Sequence, residues 1–181
     1  MEIDYEKLDR ESQPGAFSTY DMEVLVPEVQ KLVAGDVYME IGVDKGKSLS
    51  VAKMVVGKNV SLNAVDIIFT DELKEYLKDK PDINFMWMSS ESAAKVWKER
   101  GSPQIHLLFI DGDHSYEGCR NDLEYWMPFM GPHGTIVFHD CDESSPGVVE
   151  AVAEFVNKRK VQEWKMFKRT DKNTSMSLIR L

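Results

Sequence analysis

The sequence has few cysteines, no excess of basic residues and no long hydrophobic run. Its 181 residues include only Cys119 and Cys141, which excludes a disulfide framework and a cysteine zinc cluster. Lys and Arg number 22 against 31 Asp and Glu, and the net charge of −9 disfavours nucleic acid and anionic membranes as partners. The acidic amino terminus lacks a signal-peptide pattern, and no apolar run approaches the length of a membrane span. We therefore expect a cytoplasmic protein with free thiols.

The residues that are present predict one globular α/β domain spanning 1–181. Hydrophobic residues make up 43% and charged residues 29%, which excludes a disordered chain. Short apolar runs alternate with amphipathic segments, as in βαβ units that build a parallel sheet. The predicted strands are residues 37–42, 61–67, 83–88, 105–111 and 135–139. The predicted helices are residues 22–34, 48–56, 72–78, 90–99, 116–130 and 148–158.

The pattern changes after residue 158. Two strand-like runs, 164–169 and 175–181, are separated by the polar turn 170–173, which is short enough only for an antiparallel hairpin. We therefore predict a mostly parallel seven-stranded sheet with a C-terminal hairpin over 37–181, preceded by an arm and helix over 1–36. Because 36 residues are too few for a lid domain, the arm either folds over the site or leaves the pocket to be closed by another subunit. We expect a homodimer for that reason.

The segment from Glu40 to Ser48 follows the first strand, opens a helix and contains Gly42 and Gly46. Such glycines allow a tight turn and a close approach to a ligand, or simply close packing of strand against helix. The dinucleotide pattern GxGxxG fails because Asp44 stands two residues after Gly42. The P-loop pattern GxxxxGK[ST] fails by one residue, although Gly46-Lys47-Ser48 matches its end. A P-loop-like hydrolase or kinase, with a magnesium ligand at Asp111, stays open as an alternative.

An acid followed by GxxxG after the first strand resembles motif I of class I S-adenosylmethionine-dependent methyltransferases. Asp66 at the end of strand two, the loop 88–93 after strand three and the terminal hairpin extend the likeness. The stretches 109–118, 121–123 and 134–140 closely resemble a subgroup that includes small O-methyltransferases and macrolide-sugar methyltransferases. This resemblance implies a Rossmann-like methyltransferase sandwich, S-adenosylmethionine as cofactor and a small-molecule methyl acceptor. The cofactor-binding residues that it implies are Glu40, Gly42, Gly46, Asp66, Ser90, Glu91 and Asp111.

Two of these residues have specific implied roles. The Asp66 carboxylate would accept hydrogen bonds from a ribose diol, as acids at the end of a second strand do. Glu40 would face the amino group of the methionine moiety, and the alternative is a carboxylate that caps a backbone amide.

Acidic residues and histidines gather where predicted strands four and five end. Carboxylates at one place repel each other unless a cation neutralises them, so a divalent ion such as magnesium is predicted. The resemblance implies Asp111 and Asp140 as metal ligands, with Cys141 where a second acid would stand; Asp142 or water replaces that acid, or the site holds no metal. The cluster comprises Asp111, Asp113, His114, His139, Asp140, Cys141 and Asp142.

His114 is the predicted general base of this cluster, acting beside Asp111. His139 is predicted to be structural, because neighbouring strand residues point to opposite sides and its side chain would turn away from Asp140. Asp113 is equally compatible with an Asx turn and with a ligand role. The function predicted is methylation of a hydroxyl on a small molecule, with or without a divalent cation. A non-catalytic ligand-binding protein with the same fold is the remaining alternative.

Overall fold

A computed structural model describes residues 3–101, 103–168 and 175–181. One sheet of seven strands runs in the order β3-β2-β1-β4-β5-β7-β6. The strands are β1 Val37–Ile41, β2 Ser61–Asp66, β3 Ile83–Trp87, β4 Ile105–Ile110, β5 Met130–Phe138, β6 Glu163–Lys168 and β7 Ser175–Arg180. The helices are α1 Tyr5–Glu11, α2 Thr19–Gln30, α3 Lys47–Val55, α4 Asp71–Leu77, α5 Ser90–Glu99, α6 Tyr116–Trp126 and α7 Pro146–Lys158, with a 3-10 turn at Met127–Phe129.

The five strands β1 to β5 pair in parallel, and β7 pairs antiparallel with both β5 and β6. Every residue of β1 is buried, as expected for a central strand that is covered on both faces. This confirms the prediction of a Rossmann-like, mostly parallel sheet that ends in an antiparallel hairpin. The predicted turn 170–173 lies outside the described residues.

The sheet divides the core into two hydrophobic clusters. On one face, α2, α3 and α4 cover strand residues such as Tyr38 and Phe109. On the other face, α5, α6 and α7 cover strand residues such as Met39 and Leu108. Because both faces are covered, the carboxyl edge of the parallel strands is the natural place for a ligand.

Several boundaries differ from the sequence prediction, and proline explains two of the three described next. The helix α6 ends at Trp126, before the 3-10 turn that contains Pro128, whose missing N–H cannot continue an α-helix. The helix α7 begins two residues early, at Pro146, because proline fits the first turn of a helix. The strand β5 begins at Met130, five residues early, where its pairing with β4 shifts register.

The N-terminal arm folds over the start of α3. The ammonium group of Lys47 donates to the Asp9 carboxylate at 2.6 Å, and the Gln13 amide donates to Ser50 Oγ at 2.9 Å. The arm contains the short helix α1, which was not predicted and which Asp4 caps through the Lys7 amide. Of the two arrangements considered for the arm, the structure has the one in which it packs against its own chain.

An Arg–Glu pair joins the C-terminal hairpin to the helix α2. The Arg180 guanidinium on β7 donates to both oxygens of Glu28 on α2, at 2.9 and 3.0 Å. Glu28 is buried, and the donors from Arg180 and Lys31 hold the pKa of its carboxyl below the usual value although burial acts to raise it. Among the described residues, no helix combines the length and the apolar character needed to cross a membrane.

Candidate active site

Backbone hydrogen bonds align the ends of four neighbouring strands at the carboxyl edge. The Gly42 amide donates to the Val65 carbonyl, the Asp111 amide to Ile41, and the His139 amide to Ile110, at 2.8 to 3.0 Å. Each of these bonds extends the parallel ladder by one residue. The loops after β1, β2, β4 and β5 therefore begin side by side, although their residues lie far apart in the sequence.

Gly42 and Gly46 are required by the backbone of the first loop. Both have a positive φ, +85° and +87°, which L side chains rarely adopt. A Cβ at Gly42 would overlap the carbonyl group of Asp111, so the loops after β1 and β4 pack directly against each other. A Cβ at Gly46 would lie 2.9 Å from a methyl group of Leu73. The glycines therefore set the shape of the loop, and Gly42 also lines the adjoining cleft.

The Asp66 carboxylate holds this loop in place. Its Oδ2 accepts from the Val43 and Asp44 amides at 2.7 and 3.0 Å, and its Oδ1 accepts from the Ile68 amide at 2.8 Å. A carboxylate has about four acceptor positions, so these three bonds leave one for a ligand hydroxyl. Asp66 is thus a structural residue of the loop that still faces the cleft.

A cleft of about 580 Å³ runs along the loops after β1 to β4, a volume typical of sites for cofactors and small ligands. Asp122 also lines the cleft, and burial raises the pKa of its carboxyl to about 6. Glu40 and Gly46 are not among the described residues that line it. The predicted cofactor-binding residues that do line it are Gly42, Asp66, Ser90, Glu91 and Asp111.

Glu40 lies beneath the first loop rather than in the cleft. Its side chain is 0% exposed, and it accepts hydrogen bonds from the Tyr38 hydroxyl at 2.6 Å and from Ser48 Oγ at 2.5 Å. Burial raises the pKa of this carboxyl to about 8 despite the two hydroxyl donors. The partners of Glu40 are thus hydroxyl groups and not a backbone amide, and its contact with the methionine moiety stays a prediction.

A second cavity of about 250 Å³ adjoins the cleft and shares Asp44, Asp111 and Gly112 with it. Residues 15–17 of the arm form part of its wall, together with Lys47. At its inner end lies a group that we call the acidic cluster, made of Asp111, His139 and Asp140. One side-chain ligand atom from each of these three residues lies within 4.8 Å of the others.

The geometry of the acidic cluster brings both predicted histidines to the same two carboxylates. His139 Nδ1 lies 2.9 Å from Asp140 Oδ2 and 3.3 Å from Asp111 Oδ1. His114 Nε2 lies 3.4 Å from the same Asp111 oxygen and 3.5 Å from the same Asp140 oxygen. Both histidines line the second cavity, but 43% of the His114 side chain is exposed whereas His139 is only 5% exposed.

The orientation predicted for His139 is therefore wrong. The alternation of side chains holds only within a strand, and β5 ends at Phe138, one residue before this histidine. Asp140 then has a left-handed backbone with φ +50°, which brings its carboxylate back to the imidazole. No feature of the sequence distinguishes this turn from one more residue of extended strand.

Three further residues named with the cluster lie outside the ligand group of Asp111, His139 and Asp140. The Asp142 carboxylate accepts from the Ser144 amide at 2.8 Å and from Ser144 Oγ at 2.6 Å, and it is not part of the metal-ligand group found among the described residues. Cys141 is buried, and burial raises the pKa of its thiol to about 11, which disfavours a thiolate ligand. Asp113 accepts from the Ser115 amide at 2.9 Å in an Asx turn, and it also lines the cofactor cleft.

The charges within the cluster favour protonated histidines. Burial acts to raise the pKa of Asp111, but hydrogen bonds with His114 and His139 hold it below its usual value. The hydrogen bond to Asp111 raises the pKa of His114. Burial acts to lower the pKa of His139, yet its carboxylate partners raise it well above the usual value. A second source of positive charge would therefore compete directly with these protons.

The donor set fits a small divalent cation. Two carboxylates and one imidazole face each other, and the oxygen ligands suit magnesium or manganese while the nitrogen suits manganese or a softer ion. A bound cation would be held by the predicted ligands Asp111 and Asp140, with His139 instead of Asp142 as the third. Three protein ligands leave positions for water or for an oxygen of the acceptor.

Asp21, on α2, is a site residue that the sequence analysis missed. It is 0% exposed, and its Oδ2 lies 3.5 Å from His139 Nε2, on the side of the ring opposite the cluster. The spacing of Ser18 and Asp21 is that of a capping box, which would have placed the start of this helix at Thr19. The contact with His139, over more than a hundred residues of sequence, has no comparable signal.

Comparison with known proteins identifies the family. A family model described as a methyltransferase domain matches residues 39–141, which is more than half of the chain. An O-methyltransferase from Bacillus cereus in complex with SAH has a similar structure, with a TM-score of 0.73 at 11% identity, and covers 100% of this chain and 93% of its own. The MycE methyltransferase of the mycinamycin biosynthetic pathway, in complex with Mg and SAH, has a TM-score of 0.70 at 14% identity and covers 99% of this chain and 55% of its own.

Curated relatives match only segments. An uncharacterized protein of Acanthamoeba polyphaga mimivirus is 41% identical over 54 residues, which is 29% of this chain and 24% of that protein. An uncharacterized protein of Sinorhizobium fredii is 35% identical over 43 residues, which is 24% of this chain and 5% of that protein. The chain thus aligns with only a small part of the length of these relatives.

The P-loop alternative does not agree with these findings. The loop is one residue short of that motif, and the Lys47 ammonium donates to Asp9 of the arm instead of to the loop. The family match, the strand order and the paired carboxyl-edge loops instead agree with the motif analysis. The chain belongs to the methyltransferase domain family.

Proposed function

We propose that this methyltransferase transfers a methyl group from S-adenosylmethionine to a hydroxyl group of a small molecule, with a divalent cation held by the acidic cluster. The observation that carries the proposal is that the two cavities share part of their lining. The cofactor cleft and the second cavity share Asp44, Asp111 and Gly112, so ligands in the two cavities would meet beside the Asp111 carboxylate. In-line methyl transfer requires this kind of juxtaposition.

The residues of the cleft have complementary tasks in binding the cofactor. Gly42 lets the backbone of the first loop approach the ligand, and Asp66 offers its remaining acceptor position to a ribose hydroxyl. Ser90 and Glu91 line the far end of the cleft, where the loop after β3 would contact the adenine. The exposed apolar side chains of Ile67 and Ile68 stand on the same rim.

The second cavity provides the acid–base chemistry. A bound divalent cation would lower the pKa of a hydroxyl group that coordinates it. His114 faces this cavity and would accept the proton once its own proton is no longer stabilised by the carboxylates beside it. The apolar ring of Phe17 and the residues around it exclude water from the inner wall.

The size and charge of the site support a small acceptor. The second cavity of about 250 Å³ is closed on one side by residues 15–17, which leaves little room for a macromolecule. The net charge of −9 also disfavours nucleic acid and anionic membranes as partners. A homodimer stays a prediction.

Paired substitutions test the assignment of the two cavities. Calorimetry should show that Asp66→Ala weakens binding of S-adenosylhomocysteine about 10- to 100-fold, because charged hydrogen bonds to the loop are lost, while Mn²⁺ affinity stays within about threefold. Asp140→Asn should do the reverse and weaken Mn²⁺ binding about 100-fold. Asp71→Ala is the control, since this carboxylate on α4 is 95% exposed and should change neither affinity.

A methyl-transfer assay separates the enzyme from a non-catalytic protein with the same fold. The assay would follow the formation of S-adenosylhomocysteine with a panel of catechols, phenols and sugar hydroxyls, with and without a chelator. Loss of turnover on chelation would support the cation. Turnover that chelation leaves unchanged would assign the acidic cluster to acid–base chemistry alone, and cofactor binding without transfer to any acceptor would contradict the proposed reaction.

A further inference from the structure

The contact between Asp21 and His139 leaves two buried polar atoms without a hydrogen-bond partner. His139 is 5% exposed and Asp21 is 0% exposed, yet His139 Nε2 and Asp21 Oδ1 have no hydrogen bond among the described residues. The two side chains nevertheless face each other, with Nε2 and Oδ2 3.5 Å apart. A buried carboxylate is costly unless it is paired, so its retention behind a site histidine calls for an explanation.

Both side chains are held firmly. The Ser18 amide and hydroxyl each donate to Asp21 Oδ2 at 2.7 Å, which fixes the carboxylate at the start of α2. The His139 ring lies between aromatic neighbours, with the centroid of Phe17 at 5.7 Å and that of Phe109 at 6.3 Å. The imidazole therefore presents Nδ1 to the acidic cluster and Nε2 to Asp21, and a flip of the ring would put carbon atoms in place of both nitrogens and lose both contacts.

We infer that Asp21 is a positioning residue, which keeps a proton on His139 Nε2 and so leaves the Nδ1 lone pair facing Asp111 and Asp140 for a divalent cation. A neutral imidazole has one N–H donor and one acceptor nitrogen, and the group beside one nitrogen decides the state of the other. Carboxylates that accept from the distal N–H of a metal-bound histidine orient the ring and increase its basicity. The inference rests on the cation of the proposed function.

Calorimetry with Mn²⁺ on the full chain tests the inference. Asp21→Asn should weaken Mn²⁺ binding roughly 10- to 100-fold, the range found when such supporting carboxylates are replaced. Glu28→Gln is the matched control, because it makes the same acid-to-amide change at another buried position of α2, where the partners are Arg180 and Lys31. It should lower stability and leave Mn²⁺ affinity unchanged.

The outcomes separate this inference from the proposed function. Wild-type affinity in Asp21→Asn would overturn the role of Asp21 and leave the cation site intact. An absence of Mn²⁺ binding to the wild-type chain would overturn both. Equal losses in Asp21→Asn and Glu28→Gln would assign the effect to stability of the helix, and would also overturn the positioning role.

A second measurement needs no variant. Nitrogen-15 NMR of the wild-type chain saturated with Mg²⁺ reports which ring nitrogen of each histidine carries a proton. We expect His139 to be protonated at Nε2 only. A proton at Nδ1, with Nε2 free, would overturn the inference even if Asp21→Asn fails to fold.

Discussion

The cofactor cleft and the acidic cluster lie at the same edge of one sheet, but they are built in different ways. The cleft is shaped by backbone: two positive-φ glycines, amides that donate to Asp66 and the starts of helices that follow directly after strands. The acidic cluster is shaped by side chains that follow β4 and β5, with Asp21 of α2 beside His139 and residues 15–17 of the arm in the wall of the adjoining cavity. A motif can encode the first kind of site, whereas only the folded chain assembles the second.

The two regions also differ in the direction in which the pKa of a buried carboxyl group is shifted. Beneath the cleft, Glu40 has only hydroxyl partners, and its pKa is raised to about 8. In the cluster, Asp111 has two histidine partners, which hold its pKa below the usual value. Burial thus favours the protonated form of an acid in one region, and carboxylates favour the protonated form of the histidines in the other.

Gly42 joins the two regions, and its replacement should have the largest effect. In Gly42→Ala the new methyl group would meet the Asp111 carbonyl in a backbone of φ +85°, so both loops must move. We expect a loss of about 3 to 5 kcal/mol in the free energy of unfolding, together with loss of both S-adenosylhomocysteine and Mn²⁺ binding. Urea denaturation and calorimetry would measure these losses.

Gly35→Ala is the matched control for this change. Gly35 has a similar φ of +96°, but a Cβ there would meet nothing within 4 Å. Its replacement should cost about 1 to 2 kcal/mol, which is the backbone strain alone. If the two variants were equally destabilised, the direct packing of the two loops would not matter and the regions would be independent.

The same contrast explains what could be predicted from the sequence. Gly42, Asp66, Ser90 and Glu91 could be placed in the cleft because each lies at a fixed distance from the end of a strand, and apolar periodicity locates those ends. Glu40 also belongs to the motif, but its burial depends on Tyr38 and Ser48, which pair with it only in the folded chain.

The acidic cluster could be predicted only in outline. The edge of the sheet was evident, but the ligand set depended on a single left-handed residue, Asp140, and strand alternation gave the wrong side for His139. Asp21 could not be predicted as a site residue, since its sequence context indicates only a helix cap. The sequence also left open whether the arm folds over the site or another subunit closes the pocket, because the contacts of the arm with α3 form only in the folded chain.

The buried acid beneath the cleft makes a prediction for pH dependence. Below about pH 4.5, Glu40 is protonated in both the folded and the unfolded chain, so it does not affect stability. Between that pH and its folded pKa of about 8, the unfolded chain gains by ionising and stability falls as pH rises. Glu40→Gln should remove this penalty. As pH rises from 5 to 7, the free energy of unfolding of the variant should therefore increase by about 2 kcal/mol relative to that of the wild-type chain, measured by urea denaturation at each pH.

Glu28→Gln should show the opposite trend. Its Arg180 and Lys31 partners hold the pKa of the Glu28 carboxyl below the usual value, so its stabilisation is present above about pH 4.5 and is lost as pH falls. This variant should therefore be most destabilised at neutral pH.

A Glu40→Gln variant whose stability runs parallel to that of the wild-type chain between pH 5 and 7 would show that the Glu40 carboxyl is not desolvated.

The arm contributes to only one of the two regions, and the smallest effect should come from loosening it. Asp9→Ala removes the ion pair with Lys47, whose 2.6 Å contact fixes α1 beside the wall of the second cavity. A partly exposed pair of this kind contributes at most about 1 kcal/mol, so trypsin cleavage within residues 5–11 should accelerate about two- to fivefold. Glu11→Ala, which removes a 3.9 Å pair with Lys7 inside α1, should leave the rate nearly unchanged. Affinity for S-adenosylhomocysteine should stay the same in both variants, because no described residue of the arm lines the cleft. A loss of cofactor affinity in Asp9→Ala would mean that the arm supports both regions.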